Sequence, residues 1–156
     1  MIRLKPLLLN LLFPLAVGGL SALISGGGME TFQSLNQPPL SPPGWLFPIV
    51  WTILFLLMGI ASYLVSTSDA PRGQARFAKK KYAAQLIVNF FWPILFFNLQ
   101  QYLLAVFWRI LLWVLILKTL LSFYKISKPA GYLLLPYLLW VTFAGYLNLG
   151  VFLLNR

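Results

Sequence analysis

Leu103-Leu104-Ala105-Val106-Phe107-Trp108-Arg109-Ile110-Leu111-Leu112-Trp113-Val114-Leu115-Ile116-Leu117 carries a single charge and no alternation of apolar with polar residues. A strand with one wet face alternates at a period of two, and the strands of a membrane barrel do the same. Leu133-Leu134-Leu135-Pro136-Tyr137-Leu138-Leu139 is apolar on all sides in the same way. Segments greasy all round need lipid or a large protein core about them, and in lipid every backbone N–H and C=O must be satisfied internally. Without barrel-like alternation, helices are the solution. The sequence therefore predicts an all-α protein.

Composition says which solvent surrounds those helices. The chain has 156 residues, 60% of them hydrophobic and 9% charged, where a soluble domain carries roughly 25% charged residues. A domain of this size leaves much of its surface exposed, so that surface must face lipid. The expected architecture is one integral membrane bundle, residues 1–156, of five transmembrane helices.

The spans follow from the apolar runs. They cover about residues 6–25, 45–65, 82–99, 102–124 and 130–154, against the ~20 residues a bilayer requires. The first run follows Arg3 and Lys5 as in a secretory signal peptide, but its length and the four runs after it favour a span. Between the first two spans, residues 26–44 form a lid loop ending Pro38-Pro39-Leu40-Ser41-Pro42-Pro43-Gly44. Proline fixes φ and donates no hydrogen bond, so an ordered, non-helical cap is expected. Pro93 predicts a kink in the third span. No internal repeat suggests an inverted-repeat transporter.

Lys and Arg number 12 against two acidic residues, a net charge of +10. Arg3, Lys5, Arg72, Arg76, Lys79, Lys80, Lys81, Lys125 and Lys128 all fall at the N-terminus or in the second and fourth loops, on one side of the membrane. The positive-inside rule places that side, and the N-terminus, inside. Short basic loops abutting spans are topology signals or anionic-lipid contacts; no nucleic-acid partner is expected. The small basic chain is assigned to a bacterial plasma membrane in preference to a mitochondrial outer membrane. Arg109 and Lys118, inside the fourth span, are expected to snorkel to the headgroups.

The chain has no Cys and no His. That removes disulfides, thiolate and imidazole metal ligands, and Ser-His or Cys-His nucleophiles. Glu30 and Asp69 are the only carboxylates and lie outside the apolar runs, so paired-carboxylate acid–base chemistry is not expected. No metal and no resident cofactor is expected.

Trp45, Tyr82, Tyr102 and Tyr124 sit at span ends and fit an interfacial aromatic belt. Trp51, Trp92 and Trp140 lie deeper. Asn89 and Trp92 share a face of the third span, and Tyr137, Trp140, Ala144 and Asn148 form one stripe of the fifth. In-span amides face a bundle interior or a cavity. Two readings stand on these residues: an aromatic pocket with polar anchors for a flat apolar ligand, or helix–helix packing with amides bonding across helices. The small-residue row Gly18, Ala22 and Gly26 allows close helix approach, within one bundle or at a homodimer interface.

Three blocks carry a family resemblance. They are Pro42-Pro43-Gly44-Trp45-Leu46-Phe47-Pro48-Ile49-Val50-Trp51-Thr52, continuing through Met58-Gly59-Ile60-Ala61-Ser62-Tyr63; Asn89-Phe90-Phe91-Trp92-Pro93-Ile94-Leu95-Phe96-Phe97; and Leu135-Pro136-Tyr137-Leu138-Leu139-Trp140-Val141-Thr142-Phe143-Ala144-Gly145-Tyr146-Leu147-Asn148. Together they resemble the TspO/MBR family, which includes tryptophan-rich sensory proteins and the translocator (peripheral benzodiazepine receptor) proteins, over nearly the whole chain.

The resemblance implies a five-helix bundle, often a homodimer, that binds protoporphyrin IX, haem and other flat hydrophobic ligands beneath the first loop. It carries over Trp51, Asn89, Trp92, Tyr137 and Trp140 as pocket residues, with Asn89 and Tyr137 supplying hydrogen bonds. Phe32, Phe55, Phe96, Ala144 and Asn148 complete the candidate ligand-binding set. The chain departs from the family's pattern in the lid: Thr31-Phe32 stands where many relatives have Trp-Tyr, and Gln37 where a Lys often precedes the proline. No tyrosine lies close before Arg156, which weakens any case for sterol binding.

The function expected is a membrane sensor or binding protein for porphyrins. Light-dependent porphyrin degradation is the enzymatic alternative, with Trp51 and Trp140 as the redox-active neighbours and no other catalytic group. Transport of a tetrapyrrole or small molecule is the third reading.

Overall fold

The computed structural model describes residues 2–26 and 33–156. Among them stand five long helices: α1 (Leu4–Ser25), α2 (Leu46–Ser66), α3 (Arg72–Pro93), α4 (Tyr102–Ile126) and α5 (Lys128–Leu154). α1, α2, α4 and α5 are long and apolar enough to cross a membrane. α3 differs because its first ten residues, Arg72–Lys81, are the basic segment between the second and third apolar runs. Hydropathy marks where a chain enters lipid, not where its helix starts. Arg, Gln, Ala and Lys are good helix formers, so α3 begins a full segment before the apolar run at Tyr82.

Pro93 ends α3, and the chain continues as a π-helical turn over Ile94–Asn98. The Leu99 N–H donates to the Ile94 carbonyl at 3.0 Å, closing the wider ring. The break expected at Gln100-Gln101 is present, with Gln100 at φ 52. A single π-turn inside a helix is uncommon and recurs at functional sites; here it sets the rings of Phe96 and Phe97 beside Trp92.

α1 packs on α2, α3 on α4, α4 on α5 and α2 on α5. The α1–α2 crossing is close for a definable reason. Pro14 lies inside α1 and cannot donate to the Asn10 carbonyl four residues back. Gly59 of α2 packs against that carbonyl; a Cβ there would lie 2.7 Å from Asn10 O and 2.8 Å from Leu11 Cα.

The two ends of the bundle differ. At one end Lys79 Nζ donates to Ser62 Oγ and, at 3.1 Å, to Asn10 Oδ1, while Lys81 Nζ donates to Ser122 Oγ at 2.8 Å. The Arg3 N–H donates to Tyr63 Oη at 2.7 Å. The basic segments therefore gather at one end. At the other, the described part of the lid is tied to α5. Tyr146 Oη donates to Pro39 O at 2.6 Å, and Asn155 Nδ2 donates to Asn36 O at 2.8 Å. Pro38 rests on Gly150, where a Cβ would meet its ring at 2.5 Å. Residues 35–43 are non-helical, and Ser41 Oγ closes a turn on Pro38 O at 2.7 Å.

Candidate functional site

Beneath the lid end lies a cavity of about 290 Å³ lined by residues of all five helices. α1 contributes Val17, Gly18, Ser21 and Ala22; α2 contributes Phe47, Trp51 and Phe55; α3 and its π-turn contribute Asn89, Trp92, Phe96 and Phe97. α4 sends in Arg109 alone, and α5 adds Trp140, Ala144, Leu147 and Asn148. The walls are mostly aromatic and aliphatic with few polar groups, the usual make-up of a small-molecule site.

Of the candidate residues, Trp51, Phe55, Asn89, Trp92, Phe96, Trp140, Ala144 and Asn148 all line this cavity. Phe32 lies outside the described residues. Tyr137 is not in the cavity wall: it is 1% exposed and stands behind it. Its hydroxyl donates to Gln85 Oε1 at 2.7 Å and accepts from Asn89 Nδ2 at 3.0 Å, while its ring meets Trp51 edge-on at 6.1 Å. Its hydroxyl proton goes to Gln85 and its oxygen accepts from Asn89, so Tyr137 holds Asn89 and Trp51 in place from behind the wall.

Asn148 has a similar double duty. Oδ1 accepts the Trp92 indole N–H at 2.9 Å, and Nδ2 donates to Tyr102 O at 3.2 Å. Pocket and packing are therefore not alternatives here, because the same amides bond across helices and face the cavity. Trp92 stacks on Phe96, with centroids 4.9 Å apart and planes 22° apart. The Trp140 indole N–H, by contrast, is buried with no hydrogen-bond partner.

Arg109 departs from the expectation of snorkelling. It is 4% exposed, and its guanidinium lies 3.9 Å from the centroid of the Trp92 ring. The reason is its register: Ala105, Arg109, Leu112, Ile116, Thr119 and Phe123 are the buried stripe of α4, so the side chain points into the bundle. That spacing of three and four was readable in the sequence. Lys118 is off the stripe and exposed, as snorkelling requires.

Gly18, Ala22 and Gly26 line the cavity. A Cβ on Gly18 would sit 2.3 Å from the Phe55 ring. Within the row, Gly18 serves close packing inside the bundle, while Ala22 and Gly26 are exposed. A second hollow of about 260 Å³ at the basic end contains Asn10, Ser62 and Lys79, already bonded to one another. Among the described residues no cluster of His, Cys, Asp or Glu is grouped to hold a metal ion.

The model of the TspO/MBR family matches residues 10–154. The chain is 42% identical to the Tryptophan-rich protein TspO of Chlorobaculum tepidum over 80% of this chain and 78% of the relative. It is 36% identical to the Tryptophan-rich protein TspO of Archaeoglobus fulgidus over 96% of each. The Translocator protein of Bos taurus is 36% identical over 79% of this chain and 73% of its own length.

Proposed function

Because the chain belongs to the TspO/MBR family, we propose that it is a membrane sensor that binds porphyrins and related flat apolar ligands in the cavity under the first loop. The observation that carries this reading is the convergence of Trp51, Trp92 and Trp140, from three different helices, on one cavity. Indole rings offer large flat faces and edges that suit a planar π-system. Trp92 is fixed by Asn148, and Trp51 by Tyr137, so two of the three are held before a ligand arrives.

The lid supports the reading. Its Pro38-Pro39 segment is bonded and packed to α5 directly beyond Ala144 and Asn148, so it can cover a bound ligand. The cavity of about 290 Å³ lies just under the usual range of ligand sites, roughly 300–1,000 Å³. The gathering of basic residues at the opposite end supports a bilayer orientation with the N-terminus inside and the lid outside, in a bacterial plasma membrane.

The test is quenching of Trp fluorescence by protoporphyrin IX, titrated in the dark into detergent-solubilised protein. Saturable quenching, weakened by Trp51→Phe and by Trp140→Phe, is the expected result. Quenching that rises linearly without saturation, or is unchanged in both variants, would reject the site.

A further inference from the structure

Arg109 is a permanent cation inside an apolar bundle, and among the described residues no carboxylate lies beside it. Its Nε and Nη1 are buried without a hydrogen-bond partner, and its guanidinium lies over the face of Trp92 at 3.9 Å. A guanidinium over an indole gains some stabilisation, but that leaves the hydrogen-bonding N–H groups unmet, and an unpaired buried charge is costly. The sequence holds only two carboxylates. Asp69 lies in the loop between α2 and α3, at the basic end, and Glu30 is outside the described residues. The same cavity contains a second orphan donor, the indole N–H of Trp140.

Donors without acceptors imply that the acceptor arrives with the ligand. We infer that Arg109 is the counter-charge for an acid group on the cavity's occupant, so that the site selects flat apolar molecules bearing a carboxylate over their neutral analogues. This rests on the porphyrin-binding reading and narrows it. Arg109 presents a planar fork that matches a carboxylate, and Trp92, held by Asn148, sets the plane from which that fork reaches. Charge and fork are separate contributions: a lysine at this place keeps the first and loses the second.

The experiment compares protoporphyrin IX with its dimethyl ester, in the same detergent, on wild type, Arg109→Gln and Arg109→Lys. Wild type is expected to bind the diacid more tightly than the ester by about tenfold or more, in keeping with a hydrogen bond to a charged group. In Arg109→Gln that ratio falls to near unity because the diacid loses far more affinity than the ester; circular dichroism and saturable residual ester binding show that the variant is folded. Arg109→Lys keeps part of the preference. Glu30→Gln leaves the diacid affinity where it was, and oleate, a carboxylate without a ring, does not displace the diacid.

Equal binding of diacid and ester by wild type overturns the inference while the porphyrin reading stands. So does a preference that survives in Arg109→Gln. A marked gain in diacid affinity on Glu30→Gln would show that Arg109 is neutralised within the chain, and displacement by oleate would show a lipid acid as the occupant; either result rejects the inference. If neither porphyrin binds saturably, the reading and the inference fall together.

Discussion

Trp92 donates its indole N–H to Asn148 Oδ1 at 2.9 Å, linking α3 to α5 across the cavity. The bond fixes the ring on which Arg109 rests. Asn148 is 2% exposed, so removing its amide leaves a donor unmet in an apolar interior. Asn148→Leu is therefore expected to lower stability by about 1–3 kcal/mol, read as a drop in melting temperature in detergent. Trp92→Phe removes the donor itself and should cost less through this bond. Combining the two should add little to Asn148→Leu alone beyond the loss of ring area.

The α1–α2 crossing gives a sharper test of packing. At Gly59 the obstruction to a Cβ is backbone, Asn10 O at 2.7 Å and Leu11 Cα at 2.8 Å, which cannot rotate aside. Gly59→Ala should destabilise by about 1–3 kcal/mol, despite alanine's better helix propensity. Gly19→Ala, with nothing within 4 Å, should be neutral or slightly stabilising. Thermal melts of the two variants side by side separate steric from propensity effects.

Lys79 lies in the basic first part of α3, and burial pushes its ammonium down to about 8 from the ordinary value of 10.5. A folded value below the unfolded one means that between them the unfolded chain binds the extra proton. Stability therefore rises as pH climbs from about 8 towards 10.5, then levels. Other groups titrate in that window, so the readout is the difference from Lys79→Met, whose melting temperature should lack this component of the rise.

With no His and no Cys in the chain, the cavity has no strong axial ligand for haem iron. Metal-free protoporphyrin IX should bind at least as tightly as haem, as measured by parallel quenching titrations. Haem bound tenfold more tightly would point to an iron ligand that aromatic stacking does not supply.

Much of the fold was legible because lipid imposes one answer on long apolar runs. The runs at 102–124 and 130–154 lie within α4 and α5. Where charge and helix part company, hydropathy misled: Arg72–Lys81 reads as a loop and is the start of α3. At the site, Trp51, Trp92 and Trp140 stood out because tryptophan away from the interface needs a reason. Two roles were hidden. Tyr137 shares a stripe with Trp140, yet only the partners of its hydroxyl show that it supports the wall from behind. Arg109 looked near enough to a span end to snorkel, and its position on the Ala105–Leu112–Ile116 stripe was the contrary signal.

The most direct test is to fill the cavity. Ala144 lies in its wall at 8% exposure, and Ala144→Trp projects an indole into the space proposed for ligand. Titration of this variant with protoporphyrin IX in the dark, beside its circular dichroism and melting temperature, should show a folded helical protein whose affinity is about tenfold or more weaker than wild type. Wild-type affinity in a folded Ala144→Trp protein would contradict the proposal, because the porphyrin would then be bound somewhere other than between Trp51, Trp92 and Trp140.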